Sequence, residues 1–524
     1  MPNPSEPVLP SRDDPVVRAG SEVVGGPAGK RIRFGNNGNW WNLTRVLILL
    51  AVVTFALGLV QKKPCYDGAW FGVGSQYSKA CYSDMPHLYQ GRGFDSNAVP
   101  YFDKTGDDSM EYLEYPVVTG GVMYVAGSVA RALGTDLDDE KKWFVMANAL
   151  IMMACAVVVV VAVARTSGRR PWDAAMVAAA PVLALNGIIN WDMVAVALTA
   201  VAMMAWARRN VLAAGLLLGL ATAAKLYPVL LLGPLFLLCL RAGRLPEFAK
   251  ATGAAIAAWL AVNLPIMIFA WDGWKLFYTF SQERGADFGS LWLILGQRFE
   301  PMDIDTLNSW VTGLLLLMAA GIAGLALGAP RRPRFAQLAF LIVAAFLFTN
   351  KVYSPQYVLW LLPLVVLARP RWRDVLIWQA CEVIYFLGVW LYIESYAGEG
   401  TKGLSQNAYQ VAIVIHLLGL LYIAALVVRD ILRPEHDPVR RDGSDDPAGG
   451  VLDHAPDKLN FVPGQRVNHY NLYGDPDGPY AGETILGGPQ PDAATDRPGR
   501  PEVPEARRHG GGTGTGETEA IARQ

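Results

Sequence analysis

The sequence predicts an all-α protein that crosses a membrane about twelve times. Of its 524 residues, 52% are apolar and only 17% are charged, whereas soluble proteins carry about a quarter charged residues. The mean hydropathy is +0.26 even though both ends of the chain are polar. The apolar middle, residues 44–430, has room for about a dozen helices of roughly 20 residues each. This pattern excludes a soluble enzyme, a secreted disulfide scaffold and a nucleic-acid-binding protein.

Both ends of the chain, residues 1–43 and 431–524, are predicted to be disordered cytoplasmic tails. They are rich in Pro, Gly and other polar residues, so they bury too little apolar surface to offset the entropy of ordering. No apolar run follows Met1, which predicts that there is no cleavable signal peptide. Aromatic residues within 459–480 leave room for a motif that binds a cytoplasmic partner.

Clusters of arginine alternate with loops that are poor in Lys and Arg. The positive-inside rule places these clusters, and with them both termini, in the cytoplasm. The apolar runs number thirteen, whereas two cytoplasmic termini require an even number of crossings. One run, either 116–133 or 174–185, is therefore expected not to cross fully. The clusters are Arg169/Arg170, Arg208/Arg209, Arg241/Arg244, Arg331/Arg332/Arg334, Arg369/Arg371/Arg373 and Arg429/Arg433.

The first outer loop, residues 62–115, is the longest and most polar of the outward segments. Asp84 lies there among apolar and aromatic neighbours, where a carboxylate can accept a proton from a sugar or lipid hydroxyl. Solvation of the loop is the alternative role for this residue. Cys65 and Cys81 lie on the oxidising side and are predicted to form a disulfide. No Cys/His pair has the spacing of a metal site, so no metal is predicted.

Two lysines predict an anion site at the outer surface. Lys225 and Lys351 lie at the ends of apolar runs, and each is followed by tyrosine and proline, in KLYP and KVYSP. A lysine at a span marks a functional site or extends its ammonium to the interface. Two lysines in the same context favour binding of a phosphate, such as that of a lipid carrier. Arg92 and Arg284 add cations on the same side.

Asp192, in the motif NWD, fits either a ligand contact or a helix N-cap. Trp360 is interpreted as an ordinary interface anchor. Polar residues interrupt several apolar runs at the outer surface, and irregular backbone at membrane depth must line a cavity or be buried in protein. These interruptions predict a cavity that opens outward.

The order of the motifs CYSDMPHLY, EYPVVTG, NWD, AAKLYP, SQERGADFGSLW and NKVYSPQYVLWLLP is characteristic as a set. It resembles actinobacterial integral membrane proteins of glycosyltransferase family 87, the group that includes PimE-type polyprenyl-phosphate-mannose mannosyltransferases. The resemblance covers roughly residues 40–430 and leaves out both tails.

The resemblance implies a GT-C fold with an extracytoplasmic active site and a polyprenyl-phosphate sugar as donor. It also implies that Asp84 is the general base. Residue 82 is Tyr and residue 86 is Pro, which departs from the Asp-x-Asp pattern of some GT-C relatives. No metal or other cofactor is therefore expected, and cations would stabilise the leaving phosphate. The residues expected to bind substrates are His87, Arg92, Glu114, Tyr115, Asp192, Lys225, Tyr227, Arg284, Lys351, Tyr353, Ser354, Gln356 and Tyr357.

Three functional hypotheses follow from these features. The leading one is transfer of a hexose, mannose first, to a lipid or glycolipid acceptor. The alternative is a transporter or flippase for lipids or lipid-linked sugars that has no transferase activity. The predicted cavity would suit this function equally well. A scaffold that recruits partners through its C-terminal tail is the third.

Overall fold

The fold is a bundle of apolar helices. The computed structural model describes residues 14–24, 42–70, 75–105, 110–397, 403–459 and 461, and within these ranges it contains helices and turns but no β-strand. Six helices are long and apolar enough to cross a membrane: α2 (Leu43–Asp67), α6 (Leu137–Thr166), α12 (Leu245–Phe269), α15 (Ile304–Gly328), α18 (Trp372–Ala397) and α19 (Gln406–Leu432). The chain is a multi-pass membrane protein.

Six more apolar helices are shorter: α5 (Val117–Leu133), α9 (Asp192–Ala207), α10 (Val211–Ala224), α11 (Leu232–Ala242), α16 (Phe335–Thr349) and α17 (Val358–Ala368). The 3-10 turns Tyr227–Leu231 and Pro355–Tyr357 precede α11 and α17. The remaining α-helices are α1 (Pro15–Val24), α3 (Ser75–Ser78), α4 (Asp84–Gly91), α7 (Ala175–Ala178), α8 (Pro181–Asn186), α13 (Trp271–Glu283) and α14 (Leu291–Arg298).

Of the two apolar runs in question, the one at 174–185 is broken. Residues 116–133 form the continuous helix α5 after Pro116, whereas 174–185 divides into α7 and α8. The break lies at Ala180, whose backbone is extended, because Pro181 disfavours a helical conformation in the residue before it. A pair of helices of four and six residues is too short to cross a membrane.

Polar side chains fix the starts of several helices. Asn42, Ser83, Asp136 and Ser405 each accept a hydrogen bond from a backbone N–H in the first turn of α2, α4, α6 and α19. These caps satisfy N–H groups that have no partner within the helix. The start of α4 matters most for function because Asp84 is its first residue.

A close contact joins α2 to the broken helix α8. A Cβ atom built on Gly58 would overlap the carbonyl oxygen of Ala184. Only glycine allows the two backbones to approach this closely. The approach fixes the position of α8 and of the turn 187–190 that follows it.

Residues 434–459 cross one end of the helix bundle, and we call them the C-terminal strap. The sequence predicts disorder from residue 431 onward, but α19 continues to Leu432 and the strap contains three 3-10 turns. Hydropathy does not reveal the strap, because ion pairs hold much of it in place. In the N-terminal tail, which is also predicted to be disordered, Pro15–Val24 forms helix α1. Residues 1–13, 25–41, 460 and 462–524 of the two tails lie outside the described residues. The three turns are Pro434–His436, Arg440–Asp442 and Gly450–Leu452.

Carboxylates of the strap pair with buried arginines at this end of the bundle. Arg334 Nε lies 2.7 Å from Asp437 Oδ2, and Arg241 lies 2.8 Å from Asp457 Oδ2. Arg331 lies 3.0 Å from Asp445. These arginines belong to the clusters that the sequence places on one side of the membrane, and the structure gathers them together. We call this region the arginine end.

Candidate active site

The candidate active site lies at the end of the bundle opposite the arginine end. Helix α9 shows the relation, since its last turn contacts the strap through a hydrogen bond from Trp206 to the carbonyl of Gly449, while Asp192 is its first residue. Lys225 follows the C-terminus of α10 and Tyr357 precedes α17. Three segments that are distant in sequence therefore bring polar residues together.

Backbone and side-chain hydrogen bonds hold Asp84 in place. Its N–H donates to the carbonyl of Ile189 at 2.8 Å. The hydroxyl of Ser83 donates to the carbonyl of Ile188 at 2.8 Å and also caps α4. The turn after α8 thus anchors the N-terminus of α4.

The segment before Asp84 is tied to α2. Cys65 and Cys81 form a disulfide with their Cα atoms 5.9 Å apart. The ammonium of Lys62 donates to the carbonyl of Tyr82 at 2.8 Å, and the indole N–H of Trp70 donates to the carbonyl of Cys81 at 3.3 Å. These contacts limit the movement of the Asp84 carboxylate relative to the helices.

Asp84 is half-buried, and its carboxylate lies among polar groups. Burial raises its pKa to about 6 and the nearby Asp192 adds to this, while hydrogen bonds from Tyr82 and Asn190 and the charge of Lys225 act in the opposite direction. A carboxylate with a pKa close to neutrality is well matched to general base catalysis.

Lys225 forms an ion pair with Asp192 inside an aromatic cage. Its Nζ lies 3.3 Å from Asp192 Oδ1 and 5.5 to 6.0 Å from the ring centroids of Tyr115, Tyr357 and Trp360. Aromatic faces attract a cation and keep it away from bulk water. We call these three rings the aromatic cage.

Asp192 has one oxygen available. Its Oδ1 accepts the indole N–H of Trp360 at 2.7 Å as well as the lysine. Its Oδ2 is buried, and within the described residues it has no hydrogen-bond partner. Asp192 is not a helix N-cap, because it is the first residue of α9 and its own N–H donates to Asn190. An unpaired buried oxygen is costly and fits a site that awaits a donor from a ligand.

Arg284 lies near the same cage. It pairs with Asp287, three residues later. The phenols of Tyr357 and Tyr115 are close enough to act on its charge, and its side chain is 36% exposed. Arg284 is therefore a second cation within electrostatic reach of the rings around Lys225, with Asp287 as its counter-charge.

Two of the predicted substrate-binding residues bind each other. The guanidinium of Arg92 donates to both oxygens of Glu114, at 2.6 and 2.8 Å. This bidentate pair joins the end of α4 to the segment before α5, and it gives both residues a structural role.

The segment 351–356 contributes less than the sequence predicts. The ammonium of Lys351 is bound by the carbonyl of Gln282 at 2.8 Å and by Asn308 Oδ1 at 2.6 Å. Tyr353 and Gln356 are buried, and Ser354 is half-buried. Lys351 therefore stabilises the loops around the site.

His87 and Tyr227 lie beside the site without reaching its centre in the described contacts. His87 Nε2 donates a hydrogen bond to Gln76 Oε1 at 2.9 Å, and the imidazole stacks on Tyr82. Tyr227 is buried, donates to Thr199 and stacks on Trp360 at 4.5 Å between ring centroids.

Three residues of the site are not identified by the sequence analysis. Tyr82 and Asn190 hydrogen-bond the Asp84 carboxylate, and Trp360 binds Asp192. Trp360 is only 3% exposed, so its interpretation as an interface anchor is wrong. Tyr82 and Asn190 each lie two residues before an acid, in the motifs YSD and NWD. This proximity in sequence is the only signal that could have identified them.

One family model matches part of the chain. Residues 141–355 match glycosyltransferase family 87. The match covers less than half of the chain; it includes Asp192, Lys225 and Arg284 and leaves Asp84 outside. No curated protein matches the chain.

Two solved structures are similar in outline. One is ArnT from Cupriavidus metallidurans bound to undecaprenyl phosphate, with a TM-score of 0.40 and 15% identity over 75% of this chain and 79% of that chain. The other is the oligosaccharyltransferase of Archaeoglobus fulgidus in the apo form, with a TM-score of 0.33 and 12% identity over 74% of this chain and 56% of that chain.

Proposed function

We propose that the protein is a membrane glycosyltransferase that transfers a hexose, mannose first, from a polyprenyl-phosphate donor to a lipid or glycolipid acceptor. The observation that carries the proposal is the placement of Asp84 beside the Lys225–Asp192 pair. A base and a caged cation in one site are what displacement of a phosphate by a hydroxyl requires. The match to glycosyltransferase family 87 supports the same reaction class.

The chemistry proceeds as a single displacement. Asp84 takes the proton of an acceptor hydroxyl while that oxygen attacks the anomeric carbon of the donor sugar. The bond between the anomeric carbon and the phosphate oxygen breaks, and polyprenyl phosphate leaves with the electron pair. Lys225 and Arg284 stabilise the charge that develops on the phosphate, and the linkage is inverted.

We further propose that the site faces the extracytoplasmic side and that both termini are cytoplasmic. The support is the gathering of the arginine clusters at the opposite end of the bundle, together with the positive-inside rule. A polyprenyl donor supplies the sugar from within the bilayer, so the reaction needs no nucleotide sugar on that side.

The test is sugar transfer by the Asp84→Asn variant in proteoliposomes that contain a polyprenyl-phosphate mannose donor. We expect transfer to fall by about 10² to 10⁴, because asparagine keeps the shape of the side chain but cannot accept the proton. Asp103→Asn is the matched control, since Asp103 is an exposed acid of the same loop.

A wild-type rate for Asp84→Asn would remove the general base from the proposal. Movement of labelled lipid across the bilayer by the wild-type protein, with no new glycosidic bond, would instead establish the transporter alternative.

A further inference from the structure

A second group of aromatic residues lies on the other flank of Asp84. The rings of Tyr77 and Tyr82 stack at 5.6 Å, and Trp390 lies 4.7 Å from Tyr82 and 6.3 Å from Tyr77 between centroids. We call these three residues the aromatic wall. The wall joins helix α3 to the outer part of α18, and Tyr82 connects it directly to the Asp84 carboxylate.

Two buried polar atoms at this wall lack a hydrogen-bond partner in the part of the chain that the structure describes. The indole Nε1 of Trp390 and the carboxylate Oε2 of Glu394 form no hydrogen bond within the described residues. Trp390 is 5% exposed and Glu394 is 3% exposed. They are one helical turn apart, so they lie on the same face of α18. One donor and one acceptor on the same helix face, both without hydrogen-bond partners among the described residues, indicate that a ligand supplies the missing bonds.

Tyr77 shows that these atoms belong to the surroundings of Asp84. After burial, the negative charges of Asp84 and Glu394 are the causes that raise the pKa of its phenol. The phenol therefore lies within electrostatic reach of both carboxylates. Glu394 thus joins the site from the side of α18, whereas Lys225 and Asp192 join it from α10 and α9.

The wall combines apolar ring faces with a donor and an acceptor, which suits a sugar ring. The C–H faces of a sugar pack on aromatic rings, while its hydroxyl groups both donate and accept hydrogen bonds. A plain lipid alcohol would leave most of these polar groups unpaired. The chemistry of the wall therefore selects a carbohydrate.

The direction of the proposed displacement decides which substrate the wall holds. The attacking hydroxyl approaches the anomeric carbon from the face opposite the leaving phosphate, and the base must touch that hydroxyl. The cations Lys225 and Arg284 belong to the phosphate. The wall, which contacts the base through Tyr82, then belongs to the acceptor.

We propose that Tyr77, Tyr82, Trp390 and Glu394 form an acceptor subsite that binds a sugar ring, so that the new bond is made to a saccharide rather than to a lipid alcohol. This inference rests on the proposed function for the role of the ligand. In this subsite the carboxylate of Glu394 accepts hydrogen bonds from sugar hydroxyls, and the indole N–H of Trp390 donates to an oxygen of the same sugar ring.

The binding test uses saturation-transfer NMR with the full-length protein in lipid nanodiscs and the methyl glycosides of mannose, glucose, galactose and arabinofuranose as probes. We expect at least one glycoside to receive saturation from the wild type and from Asp84→Asn. In Glu394→Gln and Trp390→Phe we expect the apparent Kd to rise about tenfold or more. The matched control is Glu300→Gln. This variant removes an exposed carboxylate that lies two residues after α14, at the same end of the bundle.

The kinetic test compares octyl α-mannopyranoside with 1-O-octylglycerol as acceptors. We expect the glycoside to be used and the KM for it to rise about tenfold in Glu394→Gln, with an unchanged KM for the donor. A change confined to the donor KM would overturn the assignment to the acceptor.

Failure of this inference differs from failure of the proposed function. Absence of saturation transfer from the wild type to all four glycosides, or equal Kd values in the wild type and Glu394→Gln, would overturn the subsite. Sugar binding that depends on Glu394 in a protein without any transfer activity would retain the subsite and reject the transferase.

Discussion

At the scale of single residues, the environment of Asp84 leads to a pH dependence. Its pKa is raised to about 6, and only the ionised carboxylate can accept a proton. We therefore expect kcat/KM for transfer to rise with pH through about 6 and to fall about tenfold for each pH unit below it. Initial rates between pH 4.5 and 8, with recovery of activity at pH 7.5 after incubation at low pH, provide the measurement. A flat profile from pH 5 to 7 would contradict the role of Asp84.

Lys225 offers the second test at this scale. Replacing it in Lys225→Gln removes the caged charge, so we expect the KM for the donor to rise about 10- to 100-fold, as loss of a hydrogen bond to a charged group predicts. Lys351→Gln is the matched control, because that ammonium is bound by Gln282 and Asn308. Equal effects of the two substitutions on the donor KM would show that Lys225 has no special role.

The sequence predicts residue types better than residue partners. Asp84, Asp192 and Lys225 can be selected because charged groups next to apolar runs are costly. The sequence does not show that Arg92 and Glu114 bind each other, because that pairing depends on how α4 and α5 meet. Trp360 is likewise hidden, since 168 residues separate it from Asp192 and interface tryptophans are common.

At the scale of elements, the broken helix α8 supports the loop that contains Asp84. The turn that follows it accepts hydrogen bonds from Ser83 and from the N–H of Asp84, and Gly58 allows α8 to approach α2. The sequence predicts that one of two apolar runs fails to cross, but it does not choose between them. Both runs contain glycine or proline. Pro116 precedes its helix and leaves it intact, whereas Pro181 lies in the middle of the run 174–185 and divides it.

Gly58→Ala tests this support. The added methyl group would overlap the backbone of Ala184, so α8 and the turn after it must shift, at a cost of about 1 to 3 kcal/mol. We expect a lower kcat and a lower midpoint of thermal unfolding in detergent. Gly313→Ala, in α15 with open space around it, should leave both quantities unchanged. Wild-type kcat in Gly58→Ala would show that the turn does not position Asp84.

At the scale of the whole molecule, the C-terminal strap closes the arginine end. Composition predicts a disordered tail, and apolar burial alone gives no reason to expect otherwise. Order comes instead from carboxylates that meet arginines already buried by the bundle. Arg334, for example, is 1% exposed and binds Asp437 together with the carbonyls of Leu367 and Ala368.

Asp437→Asn should therefore destabilise the protein by about 3 to 5 kcal/mol, because it leaves a buried guanidinium without its counter-charge. Glu435→Gln is the matched control, since Glu435 lies two residues away and is 61% exposed. The measurement is the unfolding free energy in detergent or, where unfolding is irreversible, the half-life at a fixed temperature. Similar values for the two variants would show that the pair between Arg334 and Asp437 does not stabilise the protein.

The strap also has a consequence for biosynthesis. The strap leaves the ribosome after all the membrane-spanning helices, so Arg334 and Arg241 lack their strap partners while those helices enter the bilayer. If the arginine end faces the cytoplasm, as we propose, those guanidinium groups first hold each hairpin on the correct side and are neutralised only afterwards. The same charges then direct the insertion of the helices first and bind the strap in the finished protein afterwards.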